Sequence, residues 1–295
     1  MSVLVSVPTS GWNASPAAAD GVTALEGGAV IFLPKTTFEL GRADRAIFSP
    51  AAVAAAKNVS FDPATRLVSG TPLQGGDRDR LQEIFARFSR LARQLVESLL
   101  PRYAGHLITA RASFRPVEIA GRVTSWRKDD TRLHVDAFPA TPVHGRRILR
   151  VFSNVNPESR PRLWNVGSPF EAVASQFAAQ LRMPWPASGH LRRLLRLTKS
   201  VRSPYDALML QLHDRMKADD EFQATSPKER LEFPSGTTWL AFTDAVSHAA
   251  TSGQYQLEHT FLLPVAAMED ERRSPLRILE RLTGRSLAES PQPPP

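Results

Sequence analysis

The stretch Leu133-His134-Val135-Asp136-Ala137-Phe138 decides how this chain is read. In a β-strand residues i and i+2 share a face, so His134 and Asp136 project to one side and Val135 and Ala137 to the other. An imidazole and a carboxylate so placed can reach one divalent ion and supply two ligands of a facial triad. A strand is therefore expected over Thr131 to Phe138, with a third ligand from a histidine far along the chain on a neighbouring strand. His248, at the end of the strand-like Trp239 to Val246 segment, is the best placed, and His259 on the next such segment competes with it. His106, His144, His190 and His213 fall in loop or helical contexts and are not expected to be ligands. Two His and one carboxylate leave open positions that suit non-haem Fe(II) and its reactions with dioxygen. The same His-x-Asp pattern also describes a plain strand ion pair.

Around this stretch the texture is that of strands. Arg147 to Asn154 alternates as a strand after a turn at Pro139 to Gly145, and Thr237 to Val246 and Gln256 to Val265 read the same way. Upstream, Leu25 to Leu40 reads as an early strand behind the Gly27-Gly28 turn. Ser49 to Gly76 reads as irregular, with one helical turn near Ala51 to Ala56. Asp79 to Leu99 carries apolar residues at helical spacing and is stopped by Pro101. A helical block covers about 170–220, in which Ser203-Pro204 is an N-cap with a first-turn proline. Ser274-Pro275 opens a last helix that Gly284 ends. Strands thus fall in two blocks with a helical insertion between them. The organisation expected is an N-terminal extension over 1–24, a single domain over 25–289 and a disordered Pro-rich tail over 290–295.

Composition narrows the chemistry. The 295 residues include no cysteine, which excludes disulfides, thiolate metal sites and cysteine nucleophiles, so a metal site must be built from His and carboxylates. No stretch is long and apolar enough for a membrane span, and the N-terminus does not have the layout of a secretory signal. Lys and Arg number 37 against 29 Asp and Glu, a formal charge of +8 that favours anionic partners. Leucines and cations interleave over His190 to Lys199, with Arg192, Arg193, Arg196 and Lys199. That pattern reads either as an amphipathic helix on an anionic membrane or as a helix packing its leucines on the domain.

Three stretches together, Ser113 to Pro116, Ser125 to Pro139 and Gly145 to Pro157, closely resemble the Kdo (3-deoxy-D-manno-oct-2-ulosonic acid) hydroxylase family. So do Lys228 to Phe233, Thr237 to Trp239, Thr243 to Ala249 and Leu257 to Phe261, and the similarity runs from about Leu25 to Leu287. The resemblance implies an α+β fold with a double-stranded β-helix (jelly-roll) core wrapped by helices. It implies an Fe(II)- and 2-oxoglutarate-dependent dioxygenase that uses O2 to hydroxylate C3 of Kdo in the inner core of lipopolysaccharide. Carried over by position, the iron ligands are His134, Asp136 and His248. Many such oxygenases bind the distal carboxylate of 2-oxoglutarate with an Arg shortly after the second His, but Ala249 to Phe261 holds no Arg or Lys. A second arrangement in the superfamily points instead to Arg150 and Thr131, with Arg147 as the fallback, and leaves Arg127 and Lys128 for substrate anions. The implied partner is Kdo-lipid A, met in the cytoplasm or peripherally at the inner membrane.

Two rivals stand beside this reading. One is a non-oxidative, metal-dependent cupin-like isomerase or hydrolase on the same barrel, told apart by oxygen-dependent succinate formation. The other is a basic nucleic-acid-binding protein, against which stand the scattered arginines and the lack of a helix-turn-helix or zinc-finger pattern.

Overall fold

The structure, a computed structural model, describes residues 2–9, 11–16, 19–54, 58–185, 193, 195–196 and 198–288. In chain order the elements are β1 (Leu4–Ser6), α1 (Ala19–Glu26), β2 (Val30–Leu33), α2 (Arg42–Ile47), β3 (Val59–Asp62), β4 (Leu67–Ser69), α3 (Gly75–Leu99), β5 (Ile108–Arg115) and β6 (Arg147–Asn154). They continue as β7 (Arg162–Pro169), α4 (Phe170–Phe177), α5 (Pro204–Ala218), α6 (Asp220–Thr225), β8 (Glu229–Phe233), β9 (Thr238–Phe242), β10 (Val246–Ser252), β11 (Gln256–Leu263) and α7 (Pro275–Thr283).

Eight strands form one sheet in the order β1-β2-β9-β6-β11-β5-β3-β4, and β10-β7-β8 form a second. Every pairing is antiparallel except β1 with β2. Phe152 and Trp239 from the large sheet and Trp164, Val166, Leu231, Phe233, Val246 and Ala250 from the small one share a single buried cluster. The two sheets therefore face each other across an apolar layer, as a jelly-roll requires. Trp239 stacks on Phe233 with ring centroids 4.0 Å apart, and Trp164 meets both rings edge-on, so this end of the interior is closed by aromatic surface.

The outer face of the large sheet is covered by helices. On α3, Leu81, Ile84, Phe85, Phe88, Ala92, Leu95, Val96 and Leu99 are buried at three- and four-residue spacing, the stripe that the sequence shows. Leu208, Met209, Leu212 and Met216 of α5 are buried likewise, and Ser203 caps that helix by accepting from the Asp206 amide at 3.1 Å. Gly284 ends α7 in the left-handed conformation at φ 64, as its position after the last apolar turn predicts.

Several expectations are corrected. Leu25 and Glu26 close α1, and the early strand shrinks to Val30–Leu33. The segment before residue 25 supplies β1, which lies beside β2, and places Val22 in the main core. The irregular stretch after Ser49 contains the β3–β4 hairpin, whose short strands alternate too briefly to stand out. Thr237 to Val246 is not one strand, because a turn over 243–245 separates β9 from β10. Residues 190–192, 194 and 197 of the basic segment, and 289–295 of the tail, lie outside the described residues. Of the described residues there, Arg196 sits in a turn at φ 56, outside helical geometry.

Candidate metal and dicarboxylate site

Thr131 to Phe138 is not a regular strand. One bridge joins it to the small sheet: the His134 amide donates to the His248 carbonyl at 3.0 Å and the His248 amide returns the bond at 2.9 Å. Further along, the Asp136 amide donates to the Thr243 carbonyl at 2.8 Å. Among the described residues no second strand borders Leu133, whose amide and carbonyl are instead held by the side-chain amide of Gln223 on α6, at 2.8 and 2.9 Å. The backbone is extended, so the alternation still works. Leu133 and Val135 are buried in the main core, while His134 and Asp136 face the space between the sheets.

That pairing brings His134 and His248 side by side, and one ligand atom from each of His134, Asp136 and His248 lies within 4.8 Å of the others. The imidazoles are oriented alike. His134 Nδ1 lies 2.8 Å from the Arg132 carbonyl and His248 Nδ1 2.8 Å from the Val246 carbonyl. A carbonyl can only accept, so both Nδ1 atoms carry the proton and both Nε2 atoms present lone pairs. Burial pushes both imidazoles to lower pKa, His134 strongly so with help from the neighbouring His248 and Lys217. Both are therefore neutral, as metal ligands must be. Burial alone would raise the Asp136 carboxyl, but the Arg150 guanidinium outweighs it and holds Asp136 ionised. Its buried Oδ2 accepts no hydrogen bond. Two bare nitrogens and an ionised carboxylate are the donor set of a divalent transition metal.

His259 is not part of this group. The β11 register puts it on the outer face, where Ser89 Oγ of α3 lies 3.2 Å from its Nδ1 and burial drives its pKa down to about 3. His213, set aside as helical, stands much closer: its ring meets that of His134 edge-on with centroids 5.4 Å apart. Its Nδ1 donates to Asp214 at 3.0 Å.

Arg150 is on the inner face of β6, paired across with Ala241 and Thr260. Its Nη2 lies 3.3 Å from Asp136 Oδ2 and its Nη1 3.8 Å from Glu258 Oε1. Arg147, three residues earlier in the strand, faces the other way. It is fully buried, donates to Asp244 at 2.8 Å and lies over the Phe242 ring. Thr131 is exposed, and its hydroxyl donates to Asp129 at 2.7 Å. The structure thus brings Arg150 to the metal ligands and leaves Arg147 and Thr131 away from them. Arg127 is exposed, paired with Asp214 at 3.2 Å and stacked over Trp126 at 4.2 Å, and Lys128 beside it is also exposed.

The same inner faces carry residues that the motif alone did not reveal. Arg115 of β5 grips Glu258 of β11 with two parallel bonds of 2.9 and 3.0 Å, and Ser113 adds a third at 2.7 Å. Burial would raise the Glu258 carboxyl, but Arg115 and Arg150 hold it down to about 2. Arg162 of β7 donates to the Gly253 carbonyl at 2.7 Å. Burial, reinforced by Arg115, lowers its pKa to about 9. Gly253 has φ 109, and a Cβ there would meet Arg162 Cδ at 2.9 Å, so only glycine fits. Trp164 stacks on His248 at 5.0 Å. The buried Nε of Arg150, Nε of Arg162 and Nε1 of Trp164 all lack an acceptor. Such donors are costly to leave unpaired in an apolar interior. Of the three, Arg150 lies beside the metal ligands, 3.3 Å from Asp136, and an anion bound there would be its acceptor. The signal for this cradle was Arg162 to Val166, which alternates as a strand, but only pairing with β10 and β8 shows that Arg162 faces inward.

Residues 11–286 match the family model described as 3-deoxy-D-manno-oct-2-ulosonic acid (Kdo) hydroxylase. Among solved structures, the chain is similar to the Kdo hydroxylase KdoO in complex with cobalt(II), described as a non-heme Fe(II) alphaketoglutarate dependent dioxygenase. The identity is 41%, the TM-score 0.95, and 99% of each chain is covered. The same enzyme with alphaketoglutarate and Fe(III) gives 40% identity, a TM-score of 0.94 and coverage of 99% of this chain and 100% of that one. Its complex with succinate and Fe(III) gives 40%, 0.94 and 99% of each. Compared by sequence with curated proteins, the chain matches none. On the match over residues 11–286 and on 41% identity across the full fold, the chain belongs to the Kdo hydroxylase family.

Proposed function

We propose that this protein is an Fe(II)- and 2-oxoglutarate-dependent dioxygenase that hydroxylates C3 of Kdo. The observation that carries the reading is the pairing of a His134–Asp136–His248 donor set with Arg150, a buried guanidinium on the adjoining inner face whose Nε has no acceptor. Ferrous iron held by these ligands would supply oxidative decarboxylation of 2-oxoglutarate to succinate and CO2 and transfer of one oxygen atom into a C–H bond.

The chain's own residues do the rest. The Nδ1 bonds to Arg132 and Val246 fix both imidazoles so that Nε2 faces the metal position. Once Asp136 is committed to a metal, Arg150 keeps only Glu258, at 3.8 Å and shared with Arg115, as a carboxylate neighbour. The far carboxylate of a dicarboxylate is the natural replacement, since a guanidinium fork binds it with two bonds. Glu258 serves as the counter-ion that keeps Arg115 and Arg150 in place. The Trp164–Trp239–Phe233 layer excludes water and lowers the local dielectric, which strengthens these ion contacts.

The substrate we infer is Kdo carried on lipid A, and Arg127 and Lys128 would meet its anionic groups. The protein would work at the cytoplasmic face of the inner membrane, helped by the cations of the 190–199 segment, of which Arg193, Arg196 and Lys199 are exposed. Among the described residues no helix is long and apolar enough to cross a membrane. Incubation with Kdo-lipid A, iron and oxygen tests the activity: succinate should appear in step with hydroxylated sugar, and sugar conversion without succinate would favour a non-oxidative reaction. Membrane contact is tested by charge reversal at Arg192 and Arg196, which should weaken sedimentation with anionic vesicles, more so at low salt.

A further inference from the structure

We propose that a groove along the outer side of α5 is a second anchoring subsite, for the phosphorylated sugar to which the reacting Kdo is attached. The inference rests on the preceding reading that the substrate is lipid A-linked Kdo. The groove has a volume of about 740 Å³ and runs between the turn at Trp126, the segment from Arg182 to Trp185, and α5. That is room for a sugar ring with its substituents.

Its lining is suited to one class of ligand. Trp185 is 69% exposed and Trp126 36%, unusual for indoles, and aromatic faces of this kind stack on the C–H faces of sugars. Arg182, Arg202 and Arg215 contribute three guanidiniums against a single carboxylate, Asp214. Asp214 is already bound by Arg127 at 3.2 Å and by His213 at 3.0 Å, so the groove is net positive. Arg182 donates to the Ala179 carbonyl at 2.8 Å and Arg215 to the Gln180 side-chain oxygen at 2.9 Å, both neutral acceptors. Among the described residues neither makes an ion pair, and each keeps donors for a phosphate.

The groove also lies near the metal centre, one side-chain layer away. Asp214 lines it, His213 donates to Asp214, and the His213 ring touches that of His134. On this proposal a substrate whose Kdo reaches the metal places its next sugars along α5, on the side where Asp214 lines the groove. A bilayer surface would meet a flat or convex face, whereas this is a concavity of about one sugar's size.

The test compares the iron-loaded parent with an Arg182→Ala/Arg215→Ala double variant and a Trp185→Ala variant. Each is assayed on Kdo-lipid A and on the same substrate stripped of phosphate by a phosphatase. The double variant should raise KM for the phosphorylated substrate roughly 10-fold or more and narrow the parent's preference for it over the stripped one to within about twofold. Trp185→Ala should weaken both substrates alike, since it removes stacking and no charge. Phosphorylated, Kdo-free lipid A should inhibit the parent competitively and the double variant at least about 10-fold less. An unchanged phosphate preference in the double variant would overturn the proposal. So would a double variant that loses binding to phosphatidylglycerol vesicles while keeping inhibition by Kdo-free lipid A, because the arginines would then serve a membrane contact. If the parent hydroxylates no Kdo substrate yet binds phosphorylated, Kdo-free lipid A through these arginines, the activity fails and the groove stands.

Discussion

The division of labour among buried charges is set residue by residue. His134, Asp136 and His248 each offer one ligand atom, and among the described residues they are the one group of His and carboxylate side chains drawn close enough to share a metal ion. Replacing any of the three by Ala should abolish iron-dependent turnover and lower metal affinity by at least roughly 10-fold, with the thermal unfolding curve little changed. His259→Ala should keep metal binding, because its ring faces α3; equilibrium dialysis against Fe(II) or Co(II) separates the two outcomes. Arg150→Ala should weaken 2-oxoglutarate by about 2–5 kcal/mol, seen as a rise in its KM much larger than that for the sugar. Arg150→Lys should recover part of this, since charge survives and the fork does not. The triad was legible because an i, i+2 pair in extended chain must share a face. Arg150 became legible only through the family resemblance. Arg115, Arg162 and Trp164 were not: a strand arginine reads as solvent-facing until the opposite sheet is known to cover it.

Among elements, the least regular one carries the chemistry. Thr131 to Phe138 alternates like a strand, yet it has one strand neighbour at a single bridge and a glutamine side chain where the other neighbour would be. Periodicity reports which faces are buried and says nothing about which partner fills the hydrogen bonds, so the faces were right and the strand was not. Gln223→Ala strands the Leu133 amide and carbonyl, which should cost about 1–3 kcal/mol in urea denaturation and loosen the first metal ligand. Gln223→Glu restores only the acceptor and should fall between. On β11, the depressed pKa of His259 has a definite sign. Below about pH 6.5 the unfolded chain takes up a proton that the folded chain refuses until about pH 3. The stability due to neutral His259 is therefore full above the unfolded pKa and drains away as pH falls. His259→Gln should make unfolding free energy less steep by about 1.4 kcal/mol per pH unit between roughly pH 6 and 4, read from urea midpoints across that range.

At the scale of the whole molecule, the excess of arginine is divided between two uses. Arg115, Arg147, Arg150 and Arg162 are buried or nearly so and organise carboxylates and carbonyls inside the fold, while Arg127, Arg182 and Arg196 stand at the surface. The formal +8 is thus a poor guide to a nucleic-acid surface, and a better one to an interior built to hold a dicarboxylate. The two-block strand pattern anticipated the sandwich because long, well-alternating strands such as β6 and β11 dominate it. The order of strands and the inclusion of β1, β3 and β4 depended on pairings that local sequence does not encode. Whether this interior directs oxygen into the sugar is read from the mass of Kdo-lipid A after reaction with Fe(II), 2-oxoglutarate and 18O-labelled O2. The product should be heavier by one labelled oxygen atom, with fragmentation placing it at C3 of Kdo, and succinate should be equimolar; unlabelled or unchanged sugar with 2-oxoglutarate left intact would show that this interior does not oxidise the sugar.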